Sequence, residues 1–330
     1  MYRNVWKMSG KSLLILCIAC VLLCCAGRDR QGAPAITPEG PLPSGNGPTP
    51  DKVQFPSHDA DLTGGSPTII DGYLFKPVGQ GPFPALVALH GCSGLFTKSG
   101  RFQRRDFDWA IRLQSLGYVV LFPDSFTPRG IKEVCTRQDM VGTIPFRERP
   151  RDAYGALTWL QSQPFVRRDR VGLLGWSNGG STVLSVIDAS SQARPAGLTD
   201  DFCVAIAFYP GCRTIEKKVG WTTHIPLTIL MGEADDWTSP FPCTSLANRS
   251  GQTGAPVEIV IYPEAYHDFD APNQPLTVRS GLAYTARRDG RATIGTNAAA
   301  RANAIERVRA LLARHLQDGS VPTTPSGAQL

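Results

Sequence analysis

The sequence predicts an α/β protein, with a doubly wound and mostly parallel sheet flanked by helices. Two observations predict this fold. Short hydrophobic runs of strand length alternate along most of the chain with segments whose apolar residues recur at helical spacing. A content of 42% hydrophobic and 19% charged residues is that of an ordinary globular protein, which excludes a disordered chain.

Six hydrophobic runs are predicted to be strands. They are nearly continuous, which is typical of strands buried on both faces in a parallel sheet covered by helices. The runs are Ala85–His90, Tyr118–Pro123, Val171–Gly175, Val204–Tyr209, Pro226–Met231 and Val257–Tyr262. An earlier segment, Thr68–Phe75, is expected to add antiparallel strands at the edge of the sheet.

Helices are predicted between the strands. Apolar residues fall on one face of a helix when they are spaced by three or four positions. Two such stripes are Ala153, Ala156, Leu157 and Leu160, and, near the end of the chain, Ile305, Val308 and Leu312. A further helix is expected over Ser181–Ile187.

The N-terminus has the order of a secretory signal. Three basic residues precede the apolar run Leu13–Ala26, and small residues follow. We therefore expect a signal peptide over residues 1–26, cleaved after Ala26, and an exported protein that is periplasmic or secreted. One alternative is a lipoprotein with lipid on Cys20, Cys24 or Cys25, which would bring the protein to a membrane; the other is a retained membrane anchor.

The remaining chain divides by composition. Residues 27–56 begin with a stretch rich in glycine and proline and without an apolar period, which predicts a tether. A folded domain is expected over residues 57–318 and a disordered tail over 319–330. The formal net charge of +6 comes from scattered lysines and arginines. Because a nucleic-acid binder gathers such residues on one stripe or helix, we expect no nucleic-acid partner.

A serine stands at a turn between a predicted strand and a predicted helix. The turn has the pattern G-x-S-x-G, formed by Gly175, Ser177 and Gly179. A nucleophilic serine needs this sharp turn to present its hydroxyl at the edge of the sheet, and the glycines leave room for the neighbouring backbone. Ser177 is therefore the candidate nucleophile. The alternative is a glycine-rich turn whose serine has no chemical role.

A serine hydroxyl requires a base to accept its proton and a carboxylate to orient that base. His267 follows the last predicted strand, at the edge of the sheet where ligands bind, and in the order Ser, Asp, His. Two aspartates, Asp235 and Asp236, follow the strand before it. Asp235 is preferred because the recurring arrangement is Gly-x-x-Asp, and Asp236 would then be a solvated loop residue.

The turn after the first parallel strand is the candidate oxyanion hole. It has the sequence HGCSG and begins at His90. The backbone amides of Cys92 and Asn178 are expected to stabilise the negative charge that develops on a substrate carbonyl. The alternative is an ordinary tight glycine turn. We expect no metal, because the paired His or Cys ligands at fixed spacing that zinc sites favour do not occur near these residues.

These residues resemble the dienelactone hydrolase family over most of the folded domain, from about Ile69 to His267. The resemblance is carried by Asp71-Gly72-Tyr73-Leu74 with Pro77, His90-Gly91, Gly117-Tyr118 leading to Pro123-Asp124, the block from Arg170 to Gly180, Met231-Gly232 with Asp235, and Glu264-Ala265 with His267. It implies an α/β-hydrolase fold with eight strands and no large lid domain. It also implies hydrolysis of carboxylic esters or lactones without a cofactor.

The chain departs from the family pattern at three positions. Ser177 stands where the namesake enzymes have cysteine, which favours ordinary ester chemistry. Gly91 replaces a glutamate, and Ala271 replaces an arginine that helps to hold the substrate's carboxylate. Arg129 and Trp176 are the candidate substrate-binding residues, with Arg129 meeting an anionic substrate; the alternative for Arg129 is a solvated residue.

Five cysteines lie beyond the signal, and their number alone does not determine their pairing. The strand arrangement that the resemblance implies places Cys212 and Cys243 at the active-site edge, which predicts a disulfide between them. The same arrangement predicts that a Cys92–Cys135 disulfide ties the oxyanion loop to the loop after the next strand. Cys203 would remain unpaired.

The leading hypothesis is an exported hydrolase of small-molecule esters or lactones. A serine peptidase of the prolyl-oligopeptidase type would share the same sheet, although the chain has no region the size of a propeller before it. A binding protein that keeps the fold without catalysis is the hypothesis from another class. Labelling by a fluorophosphonate distinguishes a catalyst from a binder, and turnover of esters against peptides distinguishes the two enzymes.

Overall fold

An eight-stranded sheet with helices packed against it forms the centre of the protein in the computed structural model, which describes residues 49–140, 146–250 and 254–317. The strands are β1 (Asp51–Pro56), β2 (Ile69–Phe75), β3 (Phe83–Leu89), β4 (Val119–Asp124), β5 (Val166–Trp176), β6 (Ala205–Phe208), β7 (Leu227–Gly232), β8 (Val257–Tyr262), β9 (Thr277–Arg279) and β10 (Ala292–Ile294). The helices are α1 (Arg104–Ser115), α2 (Glu148–Gln161), α3 (Asn178–Val186), α4 (Arg213–Glu216), α5 (Pro240–Ser250) and α6 (Ala298–Leu316), with a 3₁₀ turn at Thr127–Arg129.

The strand order in the sheet is β1-β2-β4-β3-β5-β6-β7-β8, and β9 and β10 form a separate antiparallel hairpin. β1, β2 and β4 pair antiparallel, and all the pairs from β4 through β8 are parallel. The expected α/β class with a mostly parallel sheet is therefore confirmed. Since β3 to β8 run in the same direction, the loops that follow them meet at one edge of the sheet, where ligands bind in this class of fold.

The edge strand β1 corrects the predicted boundary of the tether. Residues 51–56 were expected to belong to the tether, but they pair with β2 in the register Asp51 opposite Leu74. The cause is an alternation of Val53 and Phe55, whose period of two places both on the same face of the strand. Phe55 is buried against Trp159 of α2. The predicted signal peptide, the tether up to residue 48 and the tail lie outside the described residues.

The predicted strands differ from the observed ones mainly at their ends. β5 begins five residues earlier than expected, at Val166, and the added residues include charged side chains that are partly exposed. β8 has the expected bounds, but it is the edge strand of the sheet and is not buried on both faces. β8 pairs with β7 and packs against α5, and it is the last strand in the sheet. Its hydrophobic run is like that of a central strand, so such a run alone does not show whether a strand lies at the edge.

Helix α3 begins at Asn178, three residues before the predicted start, so it begins directly after the candidate nucleophile. The predicted stripe of α2 is fully buried, and Val308 and Leu312 of α6 are buried as well. Arg301 of α6 forms an ion pair with Asp108 of α1, which joins these two helices. Among the residues that the structure describes, each helix is too short or too polar to cross a bilayer.

Candidate active site

Ser177 occupies a strained backbone conformation between β5 and α3. Its φ is 53° and its ψ is −113°, a region that a residue with a side chain rarely adopts. A Cβ atom on Gly175 would lie 2.3 Å from the carbonyl oxygen of Gly179, and one on Gly179 would lie 2.0 Å from the carbonyl oxygen of Leu89. Both positions therefore require glycine, and the close approach presses the start of α3 against the end of β3.

The hydroxyl of Ser177 meets His267 across 90 residues of sequence. The distance from Ser177 Oγ to His267 Nε2 is 3.0 Å, and His267 Nδ1 lies 2.8 Å from Asp235 Oδ2. With Nδ1 donating its proton to Asp235, Nε2 is left to accept the hydrogen bond of the serine hydroxyl. His267 and Asp235 are both buried. This is the geometry by which a Ser-His-Asp triad activates its serine.

The two candidate aspartates have different partners. Asp235 Oδ1 accepts hydrogen bonds from the amides of Trp237 and Thr238 at 2.9 and 2.8 Å, which turns Oδ2 toward His267. Asp236 accepts instead from the amide and the hydroxyl of Thr293 in β10. The expectation that Asp236 is a solvated loop residue is wrong, because its carboxylate attaches the β9–β10 hairpin to the loop after β7.

The environment of His267 favours its protonated form. Burial alone would lower the pKa of His267, but the charge of Asp235 and the hydrogen bond to it outweigh burial and raise this pKa above its usual value. Asp268 adds to this rise and Arg105 opposes it. An imidazole with a raised pKa accepts a proton from serine more readily, which suits it to act as a general base.

The amides of Cys92 and Asn178 are the expected oxyanion donors, and both residues line cavities at Ser177. Within the described residues neither amide donates a hydrogen bond to protein. Asn178 is the first residue of α3, where an amide has no partner in its own helix. In the loop after β3, the carbonyl of Cys92 accepts from Val134 and that of Gly91 from Gly94.

Cavities lie on two sides of Ser177. One, of about 210 Å³, is lined by the oxyanion loop, the start of α1 and the β9–β10 hairpin, and its charged lining residues are Arg104, Arg105, Asp268 and Arg279. The other, of about 100 Å³, is lined by Phe146, Tyr284 and a disulfide between Cys92 and Cys135.

The arginines of the larger cavity are not equivalent. Arg105 forms ion pairs with Asp106 and Asp268 at 2.7 and 2.8 Å, so its charge is compensated. Arg279 lies over the ring of Trp237 at 5.2 Å and forms no ion pair with a described carboxylate. Burial would raise the pKa of Asp268, but Arg105, His267 and Arg279 lower it below its usual value. An anionic group in this cavity would therefore meet Arg279.

Both expected disulfides are present. Cys92 is bonded to Cys135, Cys212 is bonded to Cys243, and Cys203 is the free cysteine. The first disulfide connects the oxyanion loop to the segment after β4.

The structure does not bring the two predicted substrate-binding residues to these cavities. Arg129 pairs with Asp152 and Asp59, at 2.7 and 2.9 Å, which ties the segment after β1 to α2. Trp176 is fully buried, and its Nε1 donates to Asp270 at 2.9 Å. Trp176 ends β5 with its side chain in the core, whereas Ser177 follows on the strained turn and lines both cavities.

Several residues of the site were not predicted from the sequence. The hydroxyl of Thr238 lies 3.0 Å from Asp235 Oδ2 and 3.2 Å from His267 Nδ1. The ring of Tyr209 lies 4.4 Å from that of His267. A signal existed for Thr238, since a threonine three residues after an aspartate often closes a turn with it. Arg279 and Arg105 had no such signal, because they lie in β9 and α1 and reach the cavity at Ser177 only through the way these distant segments pack.

No three His, Cys, Asp or Glu side chains come together as a candidate metal site in residues 49–140, 146–250 and 254–317.

Comparison with known proteins identifies relatives of this arrangement. A model of the dienelactone hydrolase family matches residues 70–316. The chain is 26% identical over 209 residues to a Bradyrhizobium protein named "Probable 2-oxo-3-(5-oxofuran-2-ylidene)propanoate lactonase", covering 60% of this chain and 77% of the other. It is 30% identical over 235 residues to mouse dipeptidyl peptidase 8, covering 61% of this chain but only 25% of the peptidase.

Solved structures share the fold. A dienelactone hydrolase-like promiscuous phosphotriesterase from metagenomic libraries aligns with a TM-score of 0.55 and 18% identity, covering 81% of this chain and 99% of that one. At this identity the likeness concerns the fold alone.

Proposed function

The chain belongs to the dienelactone hydrolase family, and from this premise we propose that it is a serine hydrolase that cleaves carboxylic esters or lactones through an acyl-enzyme intermediate. The observation that carries the proposal is the 3.0 Å contact between Ser177 Oγ and His267 Nε2. A buried imidazole in contact with a serine on a strained turn is an arrangement that nucleophilic catalysis requires.

In the proposed reaction, Ser177 Oγ attacks the carbonyl carbon of the substrate while His267 Nε2 accepts the hydroxyl proton. Asp235 holds the imidazole in the required tautomer and stabilises its charged form. The amides of Cys92 and Asn178 bind the oxyanion of the tetrahedral intermediate. His267 then gives its proton to the departing alkoxide oxygen. A water molecule attacks the acyl-serine and loses its proton to His267. His267 returns this proton to Ser177 Oγ as the bond between the acyl carbon and Oγ breaks, which releases the acid and restores the free hydroxyl.

Labelling with a fluorophosphonate tests the catalytic proposal. The probe forms a bond to an activated serine, so we expect stoichiometric labelling of the wild-type chain and none of Ser177→Ala. Turnover of p-nitrophenyl esters of graded chain length, set against lactones, then identifies the acyl group that is preferred. An unlabelled wild-type chain that hydrolyses none of these compounds would contradict the proposal.

The substrate class we propose is an ester or lactone that carries an acidic group. Its support is Arg279, which lines the larger cavity and forms no ion pair with a described carboxylate. Arg279→Gln is expected to raise KM for the p-nitrophenyl monoester of succinate by about tenfold, the usual contribution of a charged hydrogen bond. KM for p-nitrophenyl acetate should hardly change. Arg287→Gln is a matched control, since Arg287 is exposed on the same hairpin. Equal effects on both esters would refute the anionic preference.

A serine peptidase is the second candidate, because part of mouse dipeptidyl peptidase 8 is similar to this chain. The chain spans only a quarter of that peptidase, and the relative that it covers more fully carries the name of a lactonase. Peptide p-nitroanilides separate the two candidates, since a peptidase would cleave them at rates comparable to esters. A binding protein without catalysis would give neither labelling nor turnover.

We also propose that the protein is exported to an oxidising compartment. The two disulfides support this location, because such bonds persist outside the reducing cytosol. The predicted signal peptide supports it independently. Cell fractionation of the tagged chain, with the N-terminus of the mature protein determined by mass spectrometry, tests both the location and cleavage after Ala26.

A further inference from the structure

Arg149 is a buried cation beside the candidate oxyanion hole. It is the second residue of α2, and its side chain is fully buried. Four other arginines with little exposed surface form ion pairs with aspartates: Arg105, Arg129, Arg151 and Arg301. Arg149 has no such partner within the described residues. Asp152, Asp106 and Asp124 attract its charge without bonding to it, and burial of a charge that lacks a directly bonded carboxylate is costly, so its retention calls for an explanation.

The guanidinium of Arg149 joins two backbone segments. Its Nη1 donates to Asn178 Oδ1 at 2.5 Å, and its Nη2 donates to the carbonyl oxygen of His90 at 2.8 Å. The planar group also lies over the ring of Phe126 at 5.3 Å, and Phe126 packs edge-on against His90. Burial lowers the pKa of Arg149 to about 10, so the group is still charged at neutral pH.

Those two segments carry the two proposed oxyanion donors. Asn178 is itself one donor, and His90 stands two residues before Cys92. The segments are already in backbone contact, because Gly179 approaches the carbonyls of Leu89 and His90 too closely for any Cβ atom. Arg149 therefore bonds to both segments where they contact each other, and the relative position of the two amides depends on this contact.

The direction of the His90 carbonyl matters for the chemistry. An oxyanion hole needs N–H groups that face the substrate and carbonyl groups that face away. The bond from Arg149 holds the His90 carbonyl toward the interior of the domain. The guanidinium also places a positive charge behind both donors, in a site from which water is excluded and where charge acts strongly.

We propose that Arg149 is a positioning residue of the oxyanion hole, which holds the Cys92 loop and the first turn of α3 in the register that aims both amides at the substrate's oxyanion. The inference rests on the proposed function. It assigns to a side chain outside the triad a share in stabilising the transition state.

Arg149→Met tests the inference, because methionine keeps most of the volume and removes both hydrogen bonds and the charge. We expect kcat for p-nitrophenyl acetate to fall about 10- to 100-fold, less than the loss of a direct oxyanion donor, with KM changed little. Arg149→Lys keeps the charge but cannot make both hydrogen bonds in the same geometry. Its kcat should lie between that of wild type and that of Arg149→Met. Asn178→Ala removes one of the two contacts and should give a smaller loss.

A trifluoromethyl ketone separates positioning from a general loss of structure. Its adduct with serine carries an oxyanion, so its inhibition constant should rise by the same factor as kcat/KM falls across the three variants. Arg151→Met is the matched control on the same helix, since Arg151 pairs with Asp61 away from the site. We expect it to keep kcat and the inhibition constant of the wild type.

The inference is overturned if folded Arg149→Met keeps kcat within twofold of wild type, or if the ketone binds all variants equally. Should Arg149→Met fail to fold, Arg149→Lys and Asn178→Ala decide by the same two measurements. If the wild-type chain neither reacts with a fluorophosphonate nor turns over esters, it is the proposed function that fails, which distinguishes the two outcomes.

Discussion

At the scale of single residues, the site depends on which atom each side chain presents to its neighbour. Asp235 and Asp236 are adjacent and identical in type, yet only Asp235 contacts His267. The amides of Trp237 and Thr238 hold one oxygen of Asp235, so the other faces the imidazole. The contrast between the two aspartates offers a direct experiment on the proposed triad.

Asp235→Asn is expected to lower kcat by about 10⁴-fold, because an amide at this position favours the wrong tautomer of the histidine. Asp236→Asn should leave kcat nearly unchanged and act mainly on KM, since Asp236 anchors β10 at the edge of the cavity. Steady-state kinetics on one ester measure both. A loss of kcat that is equal in the two variants would mean that neither carboxylate has the specific role proposed.

The activity should also depend on the protonation of His267. The neutral imidazole is the active form, so kcat/KM is retained above its pKa and is lost as pH falls through it. Because this pKa is raised from 6.5, the midpoint of the acid limb is expected above pH 6.5. Asp235→Asn removes the main cause of the rise and should move the residual activity's midpoint to lower pH. Circular dichroism over the same range controls for unfolding, and a wild-type midpoint at or below 6.5 would be inconsistent with this electrostatic account.

At the scale of elements, the site is assembled from loops that follow parallel strands and from disulfides that join them. Ser177 follows β5, Asp235 follows β7 and His267 follows β8. Each of these residues follows its strand within five positions, so the strand register largely determines where its side chain lies. The oxyanion loop after β3 depends in addition on the bond between Cys92 and Cys135.

The two disulfides are expected to have similar effects on stability and different effects on activity. They close loops of 43 and 31 residues, so loss of either should reduce the free energy of unfolding by about 2–4 kcal/mol. The double variant Cys92→Ser/Cys135→Ser should also lower kcat, because it frees a proposed oxyanion donor. Cys212→Ser/Cys243→Ser is the matched control and should keep kcat. Urea unfolding and ester kinetics measure the two effects, and equal kcat in both double variants would exclude a catalytic role for the first disulfide.

At the scale of the whole molecule, the sheet contains one more strand, β1, formed by residues that the glycine- and proline-rich composition had assigned to the tether. β1 pairs with β2 and covers α2 through Phe55. The ion pairs of Arg129 with Asp59 and Asp152 tie the segment after β1 to α2. Residues 51–56 are thus part of the folded domain.

Phe55→Ala is expected to destabilise the domain by about 3 kcal/mol, the usual cost of removing a buried aromatic side chain. Gln54→Ala is the control, because Gln54 is exposed on the opposite face of the same strand and should change the free energy of unfolding by less than about 0.5 kcal/mol. Urea unfolding of the full chain measures both. If the two variants are equally stable, β1 does not contribute to the domain as the structure indicates.

The α/β class, the six parallel strands and the sharp turn at Ser177 could all be predicted from the amino-acid sequence. These features are encoded locally, in hydrophobic runs, in helical spacing and in glycines that permit a close approach of the backbone. The order of Ser177, Asp235 and His267 after successive strands was also readable, because parallel strands deliver the ends of distant segments to one edge of the sheet.

The partners of the polar side chains, in contrast, depend on how distant segments meet in the folded chain. Arg129 was expected to face a substrate and instead binds Asp152 and Asp59, whereas Arg279 and Arg149 reach the site without any signal in their own segments. A charged side chain takes the partner that lies nearest in space, and these partners lie 23 to 70 positions away in the chain. Local pattern carries no record of such distances, so they become known only when the sheet has been assembled.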